Sequence, residues 1–215
     1  MTDKRDQDAR QAVRILDQIV ASNDKIRMLV EKCSNLAEKA GKPENSRNRA
    51  AQLIIGHYSN LCAAGGGMSG LPGMIPVVGT VLSIFGAGAL DAILQLKFEI
   101  EMVLALSVLA GRNIDDPRER KIAFLMACTS LEDAYSSSDE PTLKSIVDLA
   151  LGEYSTRELS KTMIKAVARV IMMMTAKKWT KYFPLVGVLV GASMNKILTE
   201  HTGRACWRVI KKRAQ

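Results

Sequence analysis

The sequence predicts an all-α protein, a compact multi-helix bundle, on three observations. Small and apolar residues recur at helical spacing along most of the chain. Aromatic residues make up only 5% while Met is frequent, at 11 of 215, a composition suited to helices packed by aliphatic side chains. Breaks between apolar runs carry helix-boundary residues, Gly41 with Pro43 and Gly111 through Pro117.

From Ala9 to Ala40 the seam runs Ala9, Ala12, Leu16, Ile19, Asn23, Ile26, Val30, Cys33, Ala37, Ala40. Steps of three and four alternate throughout, which predicts one long amphipathic, coiled-coil-like helix. Two uses of the seam stay open: packing on the chain's own domain, or self-association with Asn23 setting the register. Gly41 and Pro43 end the helix, so residues 1–43 read as an N-terminal helical arm and 44–215 as the main helical domain.

A second helix is expected over Glu44–Ala64. From Ala50 to Leu90 there is no Asp, Glu, Lys or Arg, a run about twice the ~20 residues a membrane span needs. Its Gly and Pro content favours a broken or re-entrant hairpin as much as a straight span. A long helix should then run from about Val77 to Leu109, with Asp91 inside it and in need of a core partner. In the loop GRNIDDP (111–117) Gly111 suits a helix C-cap, Asp115 or Asp116 an N-cap, and Pro117 a first helical position. Helices are expected over Arg118–Tyr135, Pro141–Leu151 and Ser155–Lys178, and a last one from Pro184 into the basic tail Lys211, Lys212, Arg213.

PVVGTV (76–81) is echoed by PLVGVL (184–189). Each opens an apolar helix after a turn, so the bundle is expected to hold two Gly/Pro-initiated apolar helical hairpins. Pro76, Gly79, Pro184 and Gly187 are their structural markers, and Asn195 sits inside the second.

The formal net charge is +8, and it is unevenly spread. Between Lys161 and Arg213 there are twelve Lys or Arg and one acid, Glu200, a segment charge of +11 that leaves −3 for the remainder. Basic residues flank the uncharged run Tyr182–Asn195, with Trp179, Tyr182 and Phe183 at its entrance and Trp207 beyond its exit. Cations beside an apolar stretch with aromatics at its mouth are the pattern of a membrane-surface contact. Lys177, Lys178, Trp179, Lys181, Tyr182, Phe183, Lys211, Lys212 and Arg213 are therefore the candidate lipid-binding residues. No helix-turn-helix or RNA-recognition pattern accompanies the charge, so an anionic phospholipid membrane is favoured over nucleic acid.

Cys33, Cys62, Cys128 and Cys206 are far apart, with no CxxC pair, and the two histidines are equally dispersed. Neither a zinc site nor a disulfide framework is indicated, and no cofactor is expected. The charged opening MTDKRDQDAR has no apolar h-region. The expected location is the cytoplasm, peripheral to or partly inserted in the inner membrane. A mean hydropathy of +0.04 is too low for a polytopic membrane protein.

GLPGMIPVVG (70–79), the helix with Asp91 and FEIEM (98–102), AGRNIDDPRERK (110–121), FPLVGVLVGASMNKIL (183–198) and GRACW (203–207) together resemble the EcsC-like family. The likeness covers roughly residues 45–212, and family loops commonly carry Tyr where this chain has Ala110. The C-terminal part also looks like the membrane domain attached to some GTPases, without a phosphate-binding loop. The resemblance implies a bacterial, helical, membrane-associated protein with an unidentified membrane partner. It also implies a hydrolase-like description for which this chain has no G-x-S-x-G elbow; Ser69, Cys62 and Cys128 have no base placed near them. A non-catalytic lipid-binding module is the expected function, with a pore-forming or membrane-disrupting protein as the alternative.

Overall fold

The computed structural model describes residues 2–41, 43–64, 79, 87–135, 156–175 and 188–213. These form seven α-helices and, among the described residues, no strand: α1 (Thr2–Ile19), α2 (Asn23–Lys39), α3 (Ser46–Ala63), α4 (Ala87–Leu109), α5 (Pro117–Tyr135), α6 (Thr156–Thr175) and α7 (Val188–Arg213). A 3-10 turn, Pro43–Asn45, leads into α3. The expected helix at Pro141–Leu151 and both hairpin openings, apart from Gly79, Val188 and Leu189, lie outside the described residues.

Helix α4 is the axis. Every residue from Ala92 to Ser107 is buried, so the helix is enclosed on all sides, and its mostly apolar circumference suits that position. The other six helices all touch it, and their neighbours define a ring: α1 on α6, α6 on α5, α5 on α7, α7 on α3, α3 on α2. Between α1 and α2 the ring is joined by the short link Val20–Ser22. One hydrophobic cluster runs through the whole, from Ala12 on α1 to Ile210 on α7.

The N-terminal seam is buried as its spacing required, with Ala9, Ala12, Leu16, Ile26, Val30, Cys33 and Ala37 all in the core. It is carried by two helices where one long helix was expected. Ser22 is extended (φ −60°, ψ 151°), and the Ala21 N–H released by the break donates to Glu101 Oε1 at 2.7 Å. Asn23 therefore begins α2. Its side-chain amide donates to Asp115 Oδ1 (2.6 Å) and Ile114 O (3.3 Å), and its carbonyl accepts from Arg120 (3.0 Å).

Local boundary signals elsewhere are realised. Gly111 takes φ +84°, the left-handed conformation glycine adopts without a Cβ clash. Its N–H bonds Val108 O at 2.9 Å while Arg112 N–H bonds Ser107 O at 2.9 Å, the paired closure of a Schellman motif. Asp116, not Asp115, caps α5: its Oδ1 accepts the Arg118 N–H at 2.8 Å, and Pro117 takes the first helical position.

A close helix approach occurs at Gly203, the first residue of GRACW, where the sequence assigned none. A Cβ built on Gly203 of α7 would lie 2.8 Å from Ile55 Cγ1 on α3 and 2.9 Å from Met102 Sδ on α4. Gly79, where such an approach was expected, is exposed, and a Cβ there would meet nothing within 4 Å among the described residues, its chain neighbours lying outside them.

Candidate functional site

Helix α7 divides into two faces. Thr199, Thr202, Gly203, Cys206 and Ile210 are buried, at the three-and-four spacing of a core stripe. On the opposite side Ile197, His201, Arg204, Arg208, Lys211 and Lys212 are exposed. Fifteen residue steps at 1.5 Å each make this stripe about 22 Å long. Glu200 is the one acid on the helix, and it holds Arg204 at 2.8 Å. Ile197, 62% exposed, places an apolar side chain at one end of a cationic row.

Trp207 is fixed beside this row. It is half-buried, and its indole N–H donates to Asn48 Oδ1 on α3 at 3.2 Å, so the ring is oriented by the α3–α7 contact. Lys161 and Lys165 add exposed charge on α6.

The sequence-predicted lipid contacts divide accordingly. Lys211 and Lys212 lie on the exposed stripe. Arg213 turns inward: its side chain is 7% exposed and its Nη2 lies 3.1 Å from Glu119 Oε1. Arg112 shares that carboxylate at 3.8 Å and donates to the Arg213 carbonyl, a cation set against a helix C-terminus. Burial lowers the Arg213 pKa, with Glu119 opposing. Its charge thus joins α7 to α5 and is not presented to solvent. Lys177, Lys178, Trp179, Lys181, Tyr182, Phe183, Pro184, Gly187 and Pro76 lie outside the described residues.

The structural markers are also redistributed. Asp91, expected to need a core partner, is exposed at the edge of α4, and Asn195 is half-buried. Asp115 ties the α4–α5 loop to α2: hydrogen bonds from Asn23 and then Arg27 hold its carboxyl below the usual pKa.

The buried polar groups of α4 lie further along the helix, at Gln95, Lys97, Glu99 and Glu101. Lys97 Nζ and Glu101 Oε1 are 2.7 Å apart, with both side chains under a tenth exposed. The Lys97 ammonium also stands 4.4 Å from the centroid of the Phe98 ring. Glu99 is fully enclosed. Thr199 Oγ1 donates to its Oε1 at 2.7 Å, while Oε2 and the nearby Thr202 Oγ1 have no hydrogen-bond partner among the described residues. Burial pushes the Glu99 carboxyl up to about 8, the Thr199 bond opposing, so at neutral pH the acid is largely protonated.

The same enclosure quiets the thiols. Burial, then the nearby Glu99 charge, pushes Cys62 up to about 12. Burial pushes Cys206 up to about 12 and Cys128 higher still. A thiol acts as nucleophile only as thiolate, so Cys62 and Cys128 are held in their unreactive form. Among the described residues no three His, Cys, Asp or Glu side chains gather as a metal site. No described helix is long and apolar enough to cross a membrane.

The sequence places Lys97, Glu99 and Glu101 along this helix but assigns them no role. The signal for the pair was Lys97 and Glu101 four residues apart, the spacing of an intrahelical pair.

No protein-family model, curated protein or solved structure matches the chain.

Proposed function

We propose that this chain is a non-catalytic lipid-binding protein that engages anionic membrane surfaces through the exposed face of α7. The observation carrying this reading is the stripe from Ile197 to Lys212, in which Arg204, Arg208, Lys211 and Lys212 face outward. A row of cations on one helix attracts acidic headgroups, and an exposed isoleucine at its end can enter the headgroup region. The +11 segment to which α7 belongs, and the likeness of residues 45–212 to the EcsC-like family, point the same way. The reading extends to Lys177, Lys178, Trp179, Lys181, Tyr182 and Phe183, which precede α7 in the chain.

Sedimentation of the full chain with vesicles tests the proposal. Binding is expected with phosphatidylglycerol or cardiolipin vesicles and much weaker binding with neutral phosphatidylcholine, the difference shrinking as salt shortens the Debye length. Equal binding to both vesicle types, or none to either, overturns it. Dye release from the same vesicles separates surface binding from the pore-forming alternative.

A further inference from the structure

The inner face of α2 is consumed by the core, yet its outer face carries apolar side chains into solvent. Met28 is 68% exposed and Leu36 is 49% exposed. They border a shallow groove of about 400 Å³ with Glu31, Lys32, Asn35 and Lys39.

Charge on this face is ordered in two ridges. Seven residues advance a helix by nearly two whole turns, so positions seven apart align along one side. Asp24, Glu31 and Glu38 form one such ridge, and Lys25, Lys32 and Lys39 the other, all six exposed. Met28 and Asn35, also seven apart, run midway between them. Glu31, Lys32, Glu38 and Lys39 make no ion pair with another described residue.

We infer that the outer face of α2 is a self-association surface, and that its occupant is α2 of a second copy packed parallel about a twofold axis. The symmetry decides the orientation. With the axis along the helices, the acidic ridge of each copy meets the lysine ridge of the other, on both flanks of the Met28–Asn35 line. With the helices antiparallel, acid meets acid and lysine meets lysine. Only the parallel pair is complementary. Each pair is solvent-exposed and small in energy, and the apolar area is modest. The dimer is therefore dilution-sensitive and weakened by salt. This surface is separate from the cationic face of α7.

Light scattering with size-exclusion chromatography, at rising protein concentration and low salt, reads the outcome. The wild-type chain is expected to dimerise. One variant, Glu31→Lys with Glu38→Lys, makes both ridges basic beyond Asp24; the other, Lys32→Glu with Lys39→Glu, makes both acidic beyond Lys25. Each alone is expected to be monomeric with an unchanged circular-dichroism spectrum, since all four positions are solvated. A 1:1 mixture should restore a heterodimer. Asn35→Cys should cross-link to itself under mild oxidation, because a parallel pair sets the two positions level, and the four native cysteines are buried. A monomeric wild type at every concentration, dimeric single-sign variants, a mixture that stays monomeric, or failure of Asn35→Cys to cross-link would each overturn the inference.

Discussion

Glu99 of α4 and Thr199 of α7 meet in the middle of the bundle, the threonine hydroxyl donating to Glu99 Oε1 at 2.7 Å with both residues fully enclosed. A carboxyl with one oxygen satisfied and the other bare among the described residues is tolerated there only as the neutral acid. This contact makes the α4–α7 packing a function of pH.

The sign follows from Glu99's pKa, raised from 4.5 unfolded to about 8 folded. Between those values the folded state holds a proton that the unfolded state has released, so stability falls as pH rises. The slope is roughly 1.4 kcal/mol per pH unit at most. Glu99→Gln, which keeps a neutral hydrogen-bonding group, should match the parent near pH 4 and exceed it increasingly up to pH 8. Urea denaturation across that range measures the gap. A gap independent of pH would place the proton elsewhere.

Lys97 and Glu101 form a buried pair in which each ion is tolerated because of the other. Lys97→Met should cost about 3 kcal/mol, since it strands an enclosed carboxylate. Adding Glu101→Gln should recover most of that loss, because the neutral amide oxygen still accepts the Ala21 N–H now bound to Glu101. Denaturant midpoints of the two variants decide the point, and no recovery would show that Lys97 contributes by packing alone.

Two helical glycines should respond oppositely to alanine. At Gly203 the added Cβ would collide with Ile55 and Met102, a crowding worth about 1–3 kcal/mol. At Gly56 of α3 it would meet nothing within 4 Å among the described residues, and the gain in helix propensity is about 0.5–1 kcal/mol. Thermal melting of the single variants provides the comparison. Equal shifts would mean that α7 can slide away from α3 at little cost.

The α7 stripe is tested by replacing Arg208, Lys211 and Lys212 together with Gln. Three contacts of about 1 kcal/mol each near an acidic surface amount to roughly two decades of vesicle affinity. Lys177, Lys178 and Lys181 changed together to Gln should produce a loss of similar size if they belong to the same surface. Each variant should melt like the parent, and one that binds acidic vesicles as tightly as the parent would reduce its cluster to a solvated face.

What the sequence determined by itself was local. The three-and-four seam from Ala9 to Ala37 required burial, and Gly111, Asp116 and Pro117 marked where one helix ends and the next begins. The seam needs only its own periodicity, and at the boundaries the deciding interaction lies within about five residues: a carboxyl on a neighbouring N–H, or a backbone angle open to glycine. What only the tertiary structure decided depends on groups far apart in the chain. The seam breaks after Ile19, and the Ala21 N–H freed there is satisfied by Glu101, eighty residues on. Asp91 lies outside and Glu99 inside, because a helix apolar on every side has no period to say which of its charges the six surrounding helices will enclose. Arg213 looked like one more cation of a basic tail until Glu119 on α5 drew it inward. Gly203 was ordinary in sequence because closeness to Ile55 and Met102 is a property of how α7 crosses α3 and α4, which no spacing along one helix encodes.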